Sequence, residues 1–257
     1  MLQTRVIPTL LLKGNGLVKT IKFKNPTYIG DPINAVKLYN ELEVDEMVFL
    51  DILATRDKKE INYNLISKIS TECFMPFAYG GGINNLGQMK RLFSIGVEKI
   101  IINSEAVISP GLINEAADLY GSQSIIVSLD VKSNLWGKKE VFINGGTEKT
   151  GLNPVEQAIK FEKLGAGEII INSIDKDGLM KGYDLELLSM ISSRISIPLV
   201  ALGGAGNILD FKLAVEKGGV SAVSAGSMFV YHGKKNGVLI NYPEQEELEQ
   251  LFGGKNK

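Results

Sequence analysis

MPFAYGGGINN at positions 75–85 and IPLVALGGAGN at 197–207 are one phrase written twice, 122 residues apart (197 − 75). Each runs through apolar residues into consecutive glycines and then Asn, the order that a buried strand, a tight turn and a helix N-cap require. The repetition extends outward. EMVFLDI (46–52) recurs as EIIINSI (168–174), and IGVEKIIINS (95–104) recurs as GGVSAVSAGS (218–227). VIPTLLLK (6–13) matches the end of SIIVSLDVK (124–132), which sets Leu11 against Asp130 and Lys13 against Lys132. Gly81 thereby falls on Gly203, Gly82 on Gly204 and Ser104 on Ser227. The chain reads as one domain, 1–257, made of two similar halves, about 1–121 and 122–257.

Eight short apolar runs bounded by Gly, Pro or Asp punctuate those halves: 5–12, 46–51, 76–80, 99–103, 124–131, 168–173, 198–202 and 221–225. Continuous runs of Ile, Val and Leu suit strands buried on both faces of a parallel sheet. Helical periodicity fills the intervals at 33–42, 63–71, 86–95, 109–120, 154–164, 185–193 and 207–217, with a last helix at 243–252. Eight β-then-α units in 257 residues have the size and rhythm of a (β/α)8 TIM barrel. A doubly wound open sheet is the competitor, and the near-equal units and internal repeat favour closure.

Composition narrows the function. With 28 Lys and Arg against 29 Asp and Glu, the chain has no broad basic field for nucleic acid. One cysteine excludes an intrachain disulfide framework, and no Cys or His cluster has metal-ligand spacing, so no metal and no cofactor are expected. No apolar run reaches the length of a membrane span, and the expectation is a cytoplasmic enzyme. His232, the only histidine, lies in the turn-rich FVYHGKKNG and reads as a surface loop residue. Acid–base chemistry must then rest on carboxylates, Lys or the substrate. Cys73 reads as a core residue.

In such barrels chemistry sits at the C-terminal ends of the strands. Gly81-Gly82 with Asn103-Ser104 fall there on one side, and Gly203-Gly204 with Gly226-Ser227 on the other. Glycines let backbone N–H groups approach an anion, and a helix N-terminus adds positive charge. Two such pairs imply a ligand with two anionic groups. Asp51, Asp130, Asp175 and Asp177 are the acidic candidates. Asp130, after a long apolar run, faces either the barrel mouth or a structural partner such as Lys132. In the mouth its pKa would rise, as acid–base work requires. At the opposite strand ends stand Arg5, Glu46, Lys99 and Glu168, which read either as a solvated rim or as a ring of ion pairs.

The ordered set VIPTLLLKGNGLVK, VFLDI, GGGI, INSEAV, GSQSIIVSLDVK, GGTEKTG, GAGEIIINSIDKDG, GYDLEL and LGGAGN resembles the HisF family across nearly the whole chain. HisF is the cyclase subunit of imidazole glycerol phosphate synthase in histidine biosynthesis. The resemblance implies a barrel that receives ammonia from a HisH-type glutaminase at its N-terminal face, near Glu98. The ammonia would meet a phosphorylated substrate at the C-terminal face. By the same resemblance, Asp130 is a catalytic aspartate, and Gly82, Asn103 and Ser104 form one phosphate site. Gly204, Gly226 and Ser227 form the other; Lys19, in the first loop, and Asp51 are substrate-proximal. Arg5, Glu46, Lys99 and Glu168 match the ammonia gate.

The sequence departs from the family at Leu11, where the family carries its second catalytic aspartate. Asn172 and Leu179 stand where histidine-pathway members carry Thr. These departures resemble a divergent HisF-like branch of surface-polysaccharide (lipopolysaccharide) synthesis, which uses glutamine-derived ammonia to convert a sugar acetamido group into an acetamidino group. The resemblance thus implies an amidino-sugar subunit first, an authentic cyclase as the alternative, and a non-catalytic activator of the glutaminase as a third reading.

Overall fold

The computed structural model describes residues 4–134, 136–233 and 237–253, so the extreme termini assigned to the two halves lie outside it. Strands β1 (Arg5–Lys13), β2 (Gly16–Ile21), β3 (Lys24–Gly30), β4 (Met47–Asp51), β5 (Phe77–Gly80), β6 (Lys99–Ile102) and β7 (Ile125–Ser133) come from the first half and the junction. Then follow β8 (Lys139–Ile143), β9 (Glu148–Lys149), β10 (Glu168–Ser173), β11 (Leu199–Leu202), β12 (Ala222–Ala225), β13 (Tyr231–His232) and β14 (Gly237–Val238). The helices are α1 (Pro32–Glu41), α2 (Tyr63–Glu72), α3 (Leu86–Ile95), α4 (Ser104–Ile108) and α5 (Gly111–Tyr120). Beyond them lie α6 (Pro154–Lys163), α7 (Leu185–Ser192), α8 (Ile208–Glu216) and α9 (Gln245–Phe252).

Eight strands pair in parallel in the order β10-β11-β12-β1-β4-β5-β6-β7, and β7 pairs back onto β10 to close a (β/α)8 barrel. Each of the eight apolar runs read from the sequence becomes a barrel strand. Six helices start on Asn or Asp caps, at Asp31, Asn62, Asn85, Asn153, Asp184 and Asn207. Asn85 and Asn207, equivalent in the repeat, both cap from fully extended backbone.

Three expectations need correction. The stretch holding Lys19 is not a loop but the β2–β3 hairpin, antiparallel to the end of β1. The helix read as 109–120 is α5, which starts at Gly111, and a short helix absent from the sequence reading, α4, precedes it; Ser109-Pro110 divides the two, because Pro cannot continue the hydrogen-bond ladder. Cys73 is only half-buried against the core, its thiol facing the Met75 carbonyl oxygen at 3.3 Å. His232 is exposed, as expected, but pairs with Gly237 in a two-residue ladder.

Side-chain alternation along the strands divides two apolar regions. Between barrel and helices lies the large core, where Phe49 meets Phe77 edge-on at 5.9 Å. Inside the barrel, Ile7, Val48, Ala78, Ile101, Ile126, Ile170, Val200 and Ala222 form an aliphatic layer with Leu202 above it. Truncating Phe49, fully buried in the outer core, should cost about 3–5 kcal/mol, read as a lower urea midpoint with unchanged slope.

Candidate active site

Above the aliphatic layer, at the C-terminal ends of the strands, opens a cavity of about 160 Å³. Its floor is set by strand parity. Ile126 and Ile170 point into the barrel, so Ser128 and Asp130 on β7 and Asn172 on β10 do likewise, and all three line the cavity. Thr9 and Leu11 on β1, Leu50 and Leu202 complete the floor. Asp130 is 7% exposed, and it does not pair with Lys132, whose ammonium lies 5.7 Å above the Phe142 ring. Burial pushes the Asp130 carboxyl up to about 7, the Asn103 amide opposes that rise, and the charge of Asp177 adds to it. Opposite it in the repeat stands Leu11, which offers no proton.

Lys19 reaches the cavity from β2. It is 5% exposed and donates to the Thr9 carbonyl oxygen at 2.8 Å. Burial pushes its pKa down to about 8, with Asp177 partly restoring it. A side chain at position 226 would collide with the ammonium, since a Cβ there would overlap Nζ. Gly226 is therefore the space that Lys19 occupies. Asp177 holds the hairpin in place. Its Oδ2 accepts from the Thr20 hydroxyl at 2.8 Å and the Phe23 amide at 3.0 Å, fastening β2 and β3 over the cavity. Asp175 accepts from the Ser133 amide at 2.7 Å, and Asp51 turns its own loop by accepting from Leu53 and Ala54. Burial raises the Asp51 carboxyl.

The two glycine-serine pairs are not equivalent. Gly203, Gly204, Gly226 and Ser227 all line the cavity. On the other side Gly81 and Asn103 line it, whereas Gly82 and Ser104 sit behind the wall. The Gly82 amide donates to the Thr55 hydroxyl at 3.2 Å, and the Ser104 hydroxyl accepts from the Asn144 amide at 2.9 Å. Arg56 also lines the cavity here, pairing through Nε with exposed Asp57 at 3.0 Å. Sequence reasoning missed Arg56. It also missed Thr9 and Ser128, although strand parity places each two residues before Leu11 and Asp130. Leu179 is not on the wall; Met180 is.

At the N-terminal end of the barrel the four charges form a closed ring, not a solvated rim. Arg5 pairs with Glu46 at 2.6 Å and with Glu168, and Lys99 pairs with Glu46 at 2.6 Å and Glu168 at 3.7 Å. Glu46 and Glu168 are 4% and 6% exposed. Burial alone would lower the Arg5 pKa, but hydrogen bonding and charge from Glu168, then Glu46, raise it overall. Glu98 lies exposed on the same face, which also presents Phe74 to solvent.

Fold and site together define a (β/α)8-barrel protein with a ring of paired charges at one end of its axis and a buried carboxyl at the other. A family model described as "Histidine biosynthesis protein" matches residues 5–236. A protein of Leptospira interrogans is 51% identical over 98% of this chain and 100% of its own length, and one of Pseudomonas aeruginosa is 50% identical over 97% and 99%. Both are named "Putative imidazole glycerol phosphate synthase subunit", HisF and hisF2 respectively. The imidazole glycerol phosphate synthase subunit HisF of Alkaliphilus metalliredigens is 40% identical over 90% of this chain and 92% of its own. The chain belongs to the histidine biosynthesis protein family, and within it to the HisF proteins. Among the described residues, no helix is long and apolar enough to cross a membrane, and no three His, Cys, Asp or Glu side chains gather as a metal site.

The raised Asp130 carboxyl makes stability depend on pH. The folded chain holds this proton up to about 7, while the unfolded chain releases it near 3.8. The folded state is thus favoured at low pH, and that contribution is lost as pH rises between those values. Relative to Asp130→Asn, wild type should lose on the order of 2–4 kcal/mol across that window, measured by urea unfolding at a series of pH values.

Proposed function

We propose that this protein is the synthase subunit of an imidazole glycerol phosphate synthase-type complex, a HisF-type cyclase fed with ammonia by a HisH-type glutaminase. The observation that carries the reading is axial. A ring of four paired charges, its two carboxylates buried, stands at one end of the barrel and the buried carboxyl of Asp130 at the other, with an aliphatic layer between them. Moving an ammonium ion into such a layer would be costly, whereas neutral ammonia is small and uncharged. Arg5, Glu46, Lys99 and Glu168 serve as the entry, where ammonium can shed its proton before crossing. The glutaminase docks around them, on the face that carries Glu98. At the far end Asp130 exchanges a proton with the reacting nitrogen. Gly203, Gly204, Gly226 and Ser227, with the Lys19 ammonium, hold one phosphate, and Gly81, Asn103 and Arg56 face the other, with Gly82 and Ser104 supporting that wall. The names of the relatives support the histidine-pathway substrate.

Leu11 favours a second reading. A cyclase that needs a carboxyl on each face of its substrate has one here, and losing one member of an acid–base pair typically forfeits about 10²–10⁴ in rate. Addition of ammonia to an activated acetamido group of a nucleotide sugar asks less of the barrel, provided that a partner enzyme activates the amide oxygen.

Turnover of the histidine-pathway bisphosphate by purified protein at saturating ammonium, beside Leu11→Asp, separates the two. Brisk wild-type turnover is expected of the cyclase. A silent wild type with an active Leu11→Asp variant would move the assignment to the amidino-sugar reaction. In the complex, Arg5→Ala should lower glutamine-fed turnover while leaving ammonium-fed turnover unchanged; equal loss in both assays would contradict an entry role.

A further inference from the structure

Asn172, next to last in β10, lines the cavity in register with Asp130 on β7 and Leu202 on β11. The residue is 7% exposed, and its Oδ1 is shielded from solvent with no hydrogen-bond donor among the described residues. Buried acceptors without a donor are rare in native proteins and mark strain, water or a missing ligand. Other polar side chains at this end of the barrel bond to other acceptors. The Asn103 amide donates to the Ser128 carbonyl oxygen at 2.9 Å, and Lys19 donates to that of Thr9 at 2.8 Å. The Ser224 hydroxyl donates to the Ile7 carbonyl oxygen at 2.7 Å, leaving it to accept from Thr9. Behind Asn172 the backbone closes in: a Cβ at Gly203 would lie 2.9 Å from Oδ1.

We propose that Asn172 is a specificity-determining residue that reads an amide group on the phosphorylated substrate: with its amide turned into the cavity, Oδ1 accepts the substrate N–H and the NH2 donates to the substrate carbonyl. A side-chain amide carries an acceptor and donors in one plane, so another amide satisfies both at once, whereas a hydroxyl satisfies only one geometrically. The position beside Asp130 brings that amide next to the one carboxyl able to exchange a proton. This inference rests on the proposed reading that the cavity takes a phosphorylated substrate. Both candidate substrates carry the required group, as the carboxamide of the histidine-pathway bisphosphate or the acetamido group of a nucleotide sugar.

Calorimetric titration of wild type, Asn172→Leu and Asn172→Thr with UDP-N-acetylglucosamine, UDP-glucose and the bisphosphate tests it. Wild type should prefer the acetamido sugar over UDP-glucose by roughly 10-fold, and Asn172→Leu should bind the two alike. If the carboxamide is the source, the bisphosphate instead binds wild type and weakens by a similar factor in Asn172→Leu, with neither sugar bound. Asn172→Thr, which keeps a hydroxyl but not the planar pair, should fall between and guards against a folding defect in the Leu variant. The melting temperature of Asn172→Leu should equal or exceed that of wild type, because the substitution removes an unpaired buried atom. Unchanged discrimination in Asn172→Leu, equal weakening of both sugars, or no binding of any amide-bearing probe to wild type would overturn the proposal. None of these titrations uses ammonia, so ammonium-fed turnover of wild type judges the synthase reading separately.

Discussion

Everything in this barrel depends on the ladder that closes it. β7 and β10 pair over six positions, from Glu168 against Ile126 to Ser173 against Val131. Because side chains alternate with period two, that register decides which residues see the axis. It directs Glu168 into the entrance ring, Ile126 and Ile170 into the aliphatic layer, and Asp130 and Asn172 into the cavity. A slip of one residue in either strand would reverse its inward set and send a charged group, Glu168 of β10 or Asp130 of β7, toward the helices. Polar residues set the register, since Ser128, Asp130, Glu168 and Asn172 all lie on the inner face, while the outer face carries Val127, Leu129, Val131, Ile169 and Ile171 into the core against the helices.

The same alternation stacks three environments along one axis. The entrance ring is charged but internally neutral, two cations against two carboxylates. The middle layer is aliphatic. The cavity floor is polar on the side of β7 and β10 and apolar on the side of β1 and β4, where Leu11 and Leu50 stand. The roof is the β2–β3 hairpin, fastened by Asp177 and threaded by Lys19 into the space left by Gly226. Burial raises the Asp130 pKa and lowers that of Lys19 through one cause. A neutral carboxyl and a readily deprotonated amine are thereby available near neutral pH.

The eight units were legible because each strand is a continuous apolar run and most helices begin on Asn or Asp. The β2–β3 hairpin was not, since its turn uses Lys22 and Phe23 at positive φ, 52° and 60°, without the Gly or Asn that marks such turns. The β8–β9 turn could have been found, because Asn144-Gly145-Gly146 carries that mark and all three adopt positive φ. Site residues at strand ends were visible through the internal repeat. Whether a glycine or serine there faces the cavity was not, because it depends on partners distant in sequence: Thr55 for Gly82, and Asn144 for Ser104. Arg56 carries no pattern of its own and acquires meaning only from its place on the cavity wall.

The repeat also shows what has diverged. Backbone features survive in both halves, including the Asn85 and Asn207 caps and the left-handed Gly82 and Gly204, at φ 73° and 121°. The proton-bearing groups do not survive equally, for Asp130 faces Leu11. Were a second carboxylate present, its charge would shift the pair further apart in pKa and assign one as acid and the other as base. With Leu11 there, desolvation remains the largest influence on Asp130, and near neutrality it is present in both forms. One such group can take a proton from an attacking ammonia and return the same proton to a departing oxygen. That serves the exchange of oxygen for nitrogen at one carbon. A ring closure that needs proton transfer from opposite faces of the substrate would take its second transfer from another titratable group, and Lys19, Asp51 and Asp177 line the same cavity. The loss of symmetry at this one pair of positions therefore bears more directly on the reaction than the symmetry retained around it.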